Sequence, residues 1–161
     1  MGEWVLPREG GCRCGRVRVR VDVPPLLTMA CHCKGCQRMS AGAFSLSAAI
    51  PTEGFRVTAG EPVIGGLHGA TRHFFCPSCM SWMFTRPEGY DAFVNLRATM
   101  LDDPGGFADP FIETYTREKL PWASTPAMHL FETLPELSAF ETLVRDFAAG
   151  TAGPLPAAPP S

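Results

Sequence analysis

The chain has 161 residues, 45% hydrophobic and 19% charged, with a formal net charge of −2. That length gives one domain with a single core of ordinary size. The balance excludes a disordered, collagen-like or coiled-coil chain and argues against a general electrostatic footprint for nucleic acid.

In chain order, the N-terminus Met1-Gly2-Glu3-Trp4 has no basic start leading into an apolar stretch, so no secretory signal is expected. No later apolar run approaches the roughly 18 residues of a membrane span. Cys12 and Cys14 come next, as Cys-Arg-Cys. In an extended chain, residues i and i+2 point to one side, so both sulfurs can reach one metal. Residues 16–23 then alternate Arg or Asp with Val17, Val19, Val21 and Val23. This period of two predicts a half-buried strand whose arginines form a solvated face, and Pro24-Pro25 ends it. Further strands are predicted over residues 43–50, 55–59, 71–75, 81–85, 92–97 and 111–115. Gly and Pro punctuate the gaps, as at Gly60, Pro62, Pro87 and Pro104. Many short strands of this kind predict an all-β sandwich or open barrel. Late in the chain, Leu137, Phe140, Leu143, Val144 and Phe147 follow the 3.6 period of an amphipathic helix over about 135–149. Pro135 suits its first turn and Gly150 its stop. The expected organisation is one domain over 1–150 and a disordered Pro/Ala-rich tail over 151–161.

The seven cysteines carry the chemistry. An odd number strands one thiol in any disulfide scheme, and partners two or three residues apart cannot staple distant segments. Clustered pairs suit a metal, which draws several thiolates onto one centre; a redox disulfide within a pair is the alternative. Cys12, Cys14, Cys76 and Cys79 together make a four-thiolate set, the donor set of a closed structural zinc site. Cys31, Cys33 and Cys36 make a set of three with no fourth cysteine, and three ligands plus an open position is the pattern of a catalytic zinc. His32 alternates with Cys31 and Cys33 and should face away from them. A closed site completed by His32, His68, His73 or His129 is the competing reading.

The run Gly10-Gly11-Cys12-Arg13-Cys14-Gly15, then Val17-Arg18-Val19, then Cys31-His32-Cys33-Lys34-Gly35-Cys36-Gln37-Arg38, then Phe75-Cys76-Pro77-Ser78-Cys79 resembles the glutathione-dependent formaldehyde-activating enzyme family. That group includes the centromere-protein-V-like proteins. Residues 99–104, 116–119 and Pro121-Trp122 extend the likeness to about residues 9–125.

The resemblance implies a mainly β, β-tent zinc fold of short antiparallel strands. It implies a structural zinc on Cys12, Cys14, Cys76 and Cys79, and a second, labile zinc at the active site on Cys31, Cys33 and Cys36. It implies a carbon–sulfur lyase with glutathione as co-substrate, joining that thiol to formaldehyde or a related aldehyde; the composition, with no secretory signal or membrane span expected, gives the expectation of a cytoplasmic protein. Glutathione's carboxylates call for a cation, for which Lys34, Arg38, Arg72 and Arg97 are the candidates. His32, His73 and Tyr115 are the nominal proton donors. Trp82, Trp122, Phe74 and Phe75 read as core rather than as a stacking platform. Met80 stands where the family usually has Gly. The alternative function is a zinc-binding module that recruits a protein or a small molecule; no nucleic-acid or membrane partner is expected.

Overall fold

The computed structural model describes residues 4–67 and 69–150; His68 and the predicted tail over 151–161 lie outside the described residues. The alternating valines form β2 (Arg18–Val21), which lies between β1 (Arg8–Gly11) and β5 (Phe55–Ala59) in an antiparallel three-stranded sheet. Val17, Val19 and Val21 are almost wholly buried, while the arginines between them stay partly exposed. Each buried valine contributes on the order of 1.5–3 kcal/mol. The strand is shorter than its pattern because its start closes a turn, with Cys12 N–H donating to Val17 O at 3.0 Å. Gly10 of β1 runs against residues 100–101. A Cβ there would lie 2.0 Å from Met100 O, so only glycine fits.

The larger sheet holds eight strands among the described residues: β3 (Leu27–Cys31), β4 (Ser45–Pro51), β6 (Val63–Gly65), β7 (Thr71–Phe75), β8 (Trp82–Pro87), β9 (Phe93–Arg97), β10 (Ile112–Thr114) and β11 (His129–Leu130). Their order is β11-β10-β3-β4-β9-β8-β7-β6. The mainly β architecture expected from sequence is therefore the one observed. One element departs from the expected antiparallel pattern: β10 runs parallel to both β3 and β11. Parallel neighbours need a connection of about a dozen residues or more, and the segment 115–128 between β10 and β11 supplies it.

The two sheets face each other across one core. Val17, Val19, Val21 and Phe55 pack against Ala48, Ile50, Phe84, Val94 and Leu96 of the large sheet. Phe74 stacks on Phe84 with ring centroids 4.7 Å apart. A second cluster joins Leu27, Phe111 and Ile112 to Leu143 and Phe147 of the C-terminal helix (Leu137–Ala149). That helix stops at Gly150, which takes φ +62° and donates back to Asp146 O and Phe147 O. Pro135 lies just before the N-cap Glu136 rather than in the first turn, and Leu137 is exposed, so the packed face begins at Phe140. No helix among the described residues is long and apolar enough to cross a membrane.

β1, β3, β6 and β11 had no readable alternation. β3 buries Leu27, Thr28 and Ala30 consecutively or nearly so, since both its faces are covered. The short helix Lys34–Ser40 has no buried residue and so no apolar period.

Candidate metal centre

Two turns bring the four-sulfur set together. Cys12 and Cys14 sit not in extended chain, as the spacing suggested, but in a turn closed by Gly15 N–H donating to Cys12 O at 2.9 Å. Cys76 and Cys79 sit in the turn between β7 and β8, where Met80 N–H donates to Cys76 O at 2.9 Å. All four sulfurs lie within 4.8 Å of one another. Cys12 and Cys14 are 3.5 Å apart, and Cys14 and Cys76 3.7 Å. A tetrahedron with Zn–S near 2.3 Å has an edge of about 3.8 Å, so the donors fit that ion. The surroundings favour negative sulfur: Val17 N–H donates to Cys12 Sγ at 3.3 Å. The Ser81 hydroxyl stands 3.2 Å from Cys79 Sγ, and its donation, with that of the Ser81 N–H, holds Cys79 down at about 5. Met80 completes the turn at φ +57°, the left-handed region where glycine is at ease.

The three-sulfur set is local. Cys31 ends β3, Cys33 caps the helix Lys34–Ser40, and Cys36 lies in its first turn, with Cys36 N–H donating to Cys33 Sγ at 3.3 Å. The three sulfurs also lie within 4.8 Å of one another, and among the described residues no fourth His, Cys, Asp or Glu joins them. The Cys36 thiol stabilises a Cys31 thiolate against the opposing effect of burial, so Cys31 drops to about 5, while its charge and burial push Cys36 up. The Thr114 and Ser45 hydroxyls stand beside Cys31 and Cys36 respectively.

Strand register puts Cys31, Ser45, Ser47, Arg97, Asn95, Thr85 and His73 on one face of the large sheet. The opposite face carries the apolar core, together with His32 and Glu113. As alternation required, His32 faces away from the sulfurs; its Nε2 stands 3.4 Å from Glu113 Oε1. Glu113 is fully buried. Burial pushes its carboxyl up, but donation from Lys119 Nζ and Thr125 Oγ1, each at 2.8 Å, outweighs that and holds it below the usual range.

On the sulfur-bearing face lies a cavity of about 390 Å³ lined by Phe44, Ser45, Ser81, Trp82, Arg97 and Thr99 among others. The register shift between Phe74 and Phe75 turns Trp82 onto this face, where Nε1 donates to Thr85 Oγ1 at 3.2 Å. The Arg97 guanidinium carbon lies over the Trp82 ring, 4.1 Å from its centroid. Of the four cations named from sequence, Arg97 alone lines this cavity. Lys34 and Arg38 are exposed on the short helix, and Lys34 N–H donates to Glu118 Oε2 at 2.6 Å. Arg72 projects with Phe74 from the opposite face, 3.7 Å from Asp91. Of the nominal proton donors, His73 is pushed down by burial and then by the Arg97 charge, which keeps its ring neutral at neutral pH. Tyr115 is half-buried in a left-handed turn beyond β10, and His129 packs edge-on against Phe111. Sequence reading passed over Ser45, Thr114 and the liganding side of Trp82. Each reaches the site through cross-strand register, which leaves no local signal.

A mainly β domain with one four-sulfur and one three-sulfur donor set defines a candidate zinc protein. The family model of the glutathione-dependent formaldehyde-activating enzymes matches residues 7–118, well over half of the chain, and the chain belongs to that family. No curated protein matches it. Among solved structures, a Rhodobacter sphaeroides protein is similar at 19% identity and a TM-score of 0.48, over 58% of this chain and 87% of its own.

Proposed function

We propose that the protein is a zinc-dependent enzyme of the carbon–sulfur lyase type, acting in the cytoplasm on glutathione and formaldehyde or a related aldehyde. One observation carries the reading: a set of three sulfurs with no fourth ligand among the described residues, on the sheet face that also carries a cavity of about 390 Å³. Cys12, Cys14, Cys76 and Cys79 would hold one zinc and serve the fold, while Cys31, Cys33 and Cys36 would hold the other. When bound there, zinc supplies a soft centre with an open position that favours the thiolate form of an incoming thiol. The chain's own residues position and shield the reactants. Arg97 places a positive charge beside the sulfurs, and Phe44 and Trp82 exclude water from the cavity wall. His32, wedged between Glu113 and the Phe44 ring, fixes the turn that presents Cys31 and Cys33. In the reaction, sulfur bonds to the carbonyl carbon and the C=O π pair moves to oxygen. That oxygen gains a proton in place of the one the thiol released. Seven cysteines with no disulfide among the described residues suit a reducing compartment.

The test is NMR exchange spectroscopy of glutathione with formaldehyde. Zinc-loaded protein should accelerate exchange between free thiol and S-hydroxymethyl adduct, and Cys33→Ser should abolish the acceleration. Exchange unaltered by zinc-loaded protein refutes the enzyme reading and favours a binding module.

A further inference from the structure

The cavity that runs from Ser45, beside Cys36, to Ser81, beside Cys79, holds one cation and no anion. Arg97 is 8% exposed. Its Nη2 donates to Asn95 O at 3.2 Å, and its buried Nε has no hydrogen-bond partner among the described residues. No carboxylate stands within ion-pair distance of it among the described residues. A guanidinium keeps its proton throughout the ordinary pH range, so Arg97 is a cation at neutral pH. A zinc(II) ion on the three thiolates would leave a single net negative charge there, which does not fill the guanidinium's hydrogen-bond fork. Around it the walls are hydroxyls, Ser45, Ser81 and Thr99, and apolar groups, Phe44 and Leu46; no Asp or Glu lines the cavity. A buried guanidinium stacked on an indole, with donors unfilled and no acid nearby, is built to receive a carboxylate.

We infer that Arg97 and Trp82 form a carboxylate subsite, and that glutathione enters with its glycyl carboxylate on Arg97 rather than its γ-glutamyl end. The orientation rests on the function proposed above and on charge. The γ-glutamyl carboxylate carries an α-ammonium beside it, and the cavity offers that second cation no acid. The glycyl carboxylate has no amine. Reach agrees: β9 lies two strands from β3, about 9–10 Å. The Arg97 side chain and the short cysteinyl–glycyl arm cover that span together, whereas the γ-glutamyl arm is two carbons longer.

The experiment uses zinc-loaded full-length protein and S-methylglutathione, a thioether that binds without reacting. Nitrogen-15 NMR follows the Arg97 Nε–H signal, assigned with Arg97→Lys, and calorimetry measures affinity. S-methylglutathione should shift that signal. Its glycyl ethyl ester should bind at least tenfold more weakly, and N-acetyl-S-methyl-cysteinylglycine, which keeps that nitrogen an uncharged amide, should stay within about threefold of the parent. Equal binding of acid and ester, an unmoved Arg97 signal, or a tenfold loss on removing the γ-glutamyl group each overturns the inference. The ligand series needs no folded variant. It also separates the two readings. Acceleration of glutathione–formaldehyde exchange with equal kcat/KM for acid and ester leaves the enzyme standing and removes the subsite. Ligand preference as stated without acceleration keeps the subsite and removes the enzyme.

Discussion

Replacing Cys76 by serine tests whether the four-sulfur set holds the fold. Cys76 is wholly buried and Cys14, 3.7 Å from it, is 62 residues distant in sequence. A cross-link over a loop of that length constrains the unfolded chain by about 4 kcal/mol if a metal bridge behaves as a covalent one. A full structural zinc set contributes on the order of 10–16 kcal/mol in small peptides, so losing one of four ligands costs a similar few kcal/mol. Typical domain stability is only about 5–15 kcal/mol. At roughly 2–4 °C per kcal/mol for a chain of this size, Cys76→Ser should lower Tm by roughly 8–16 °C. Circular dichroism melts with metal analysis of the same samples measure both quantities. A variant that melts with the wild type, or that keeps its full zinc content, would show that these four sulfurs do not act together in the fold.

Cys33→Ser, by contrast, should keep the wild-type circular dichroism and most of Tm while losing thiol exchange, because Cys31, Cys33 and Cys36 close no long loop; global unfolding would move them into the structural class. Purified protein should hold between one and two zinc per chain, and a chelator titration should remove the first equivalent without unfolding. Two equivalents leaving in step with unfolding would contradict an open second site. Lys119→Met should destabilise by about 3 kcal/mol at pH 7, since it strips the nearest counter-charge from fully buried Glu113. Glu113 has a depressed folded pKa, so its stabilisation is present above its ordinary value of 4.5 and fades as pH falls through the folded one. The wild-type–variant difference in denaturant melts should therefore shrink as pH falls below 4.5; a pH-independent difference would refute the charge argument.

How much of this was legible in the sequence depended on whether a signal was local. Val17, Val19 and Val21 announced their strand because one face meets the core and the other meets water. The seven cysteines announced two donor sets because clustering within a few residues is visible without a fold. His32 could be assigned to the face away from the sulfurs because alternation is a backbone property. β3 was illegible because it is covered on both faces, and the helix Lys34–Ser40 because a cysteine starts it and no apolar face supports it. The company of Arg97 was illegible for another reason. Its neighbours, Ser47 across from it and Trp82 under it, come from strand register and from a bulge in β7–β8, neither of which leaves a mark on residues near position 97.

The ends of the eight-stranded sheet also have a consequence for association. A long, flat terminal strand offers a row of free N–H and C=O groups on which another chain can add. Here the sheet closes at one end on β11, two residues long, and at the other on β6, three residues long and followed by Gly66 at φ +70°. Two- and three-residue borders present too few groups in register to template a neighbour. β3, which carries Cys31, is shielded from that role by β10 and β11. The segment after residue 118, past the end of the family match, supplies β11 and the helix Leu137–Ala149 that packs beside Leu27 of β3. Cutting the chain there would turn the cysteine-bearing strand's only remaining screen, the three-residue β10, into the sheet's border.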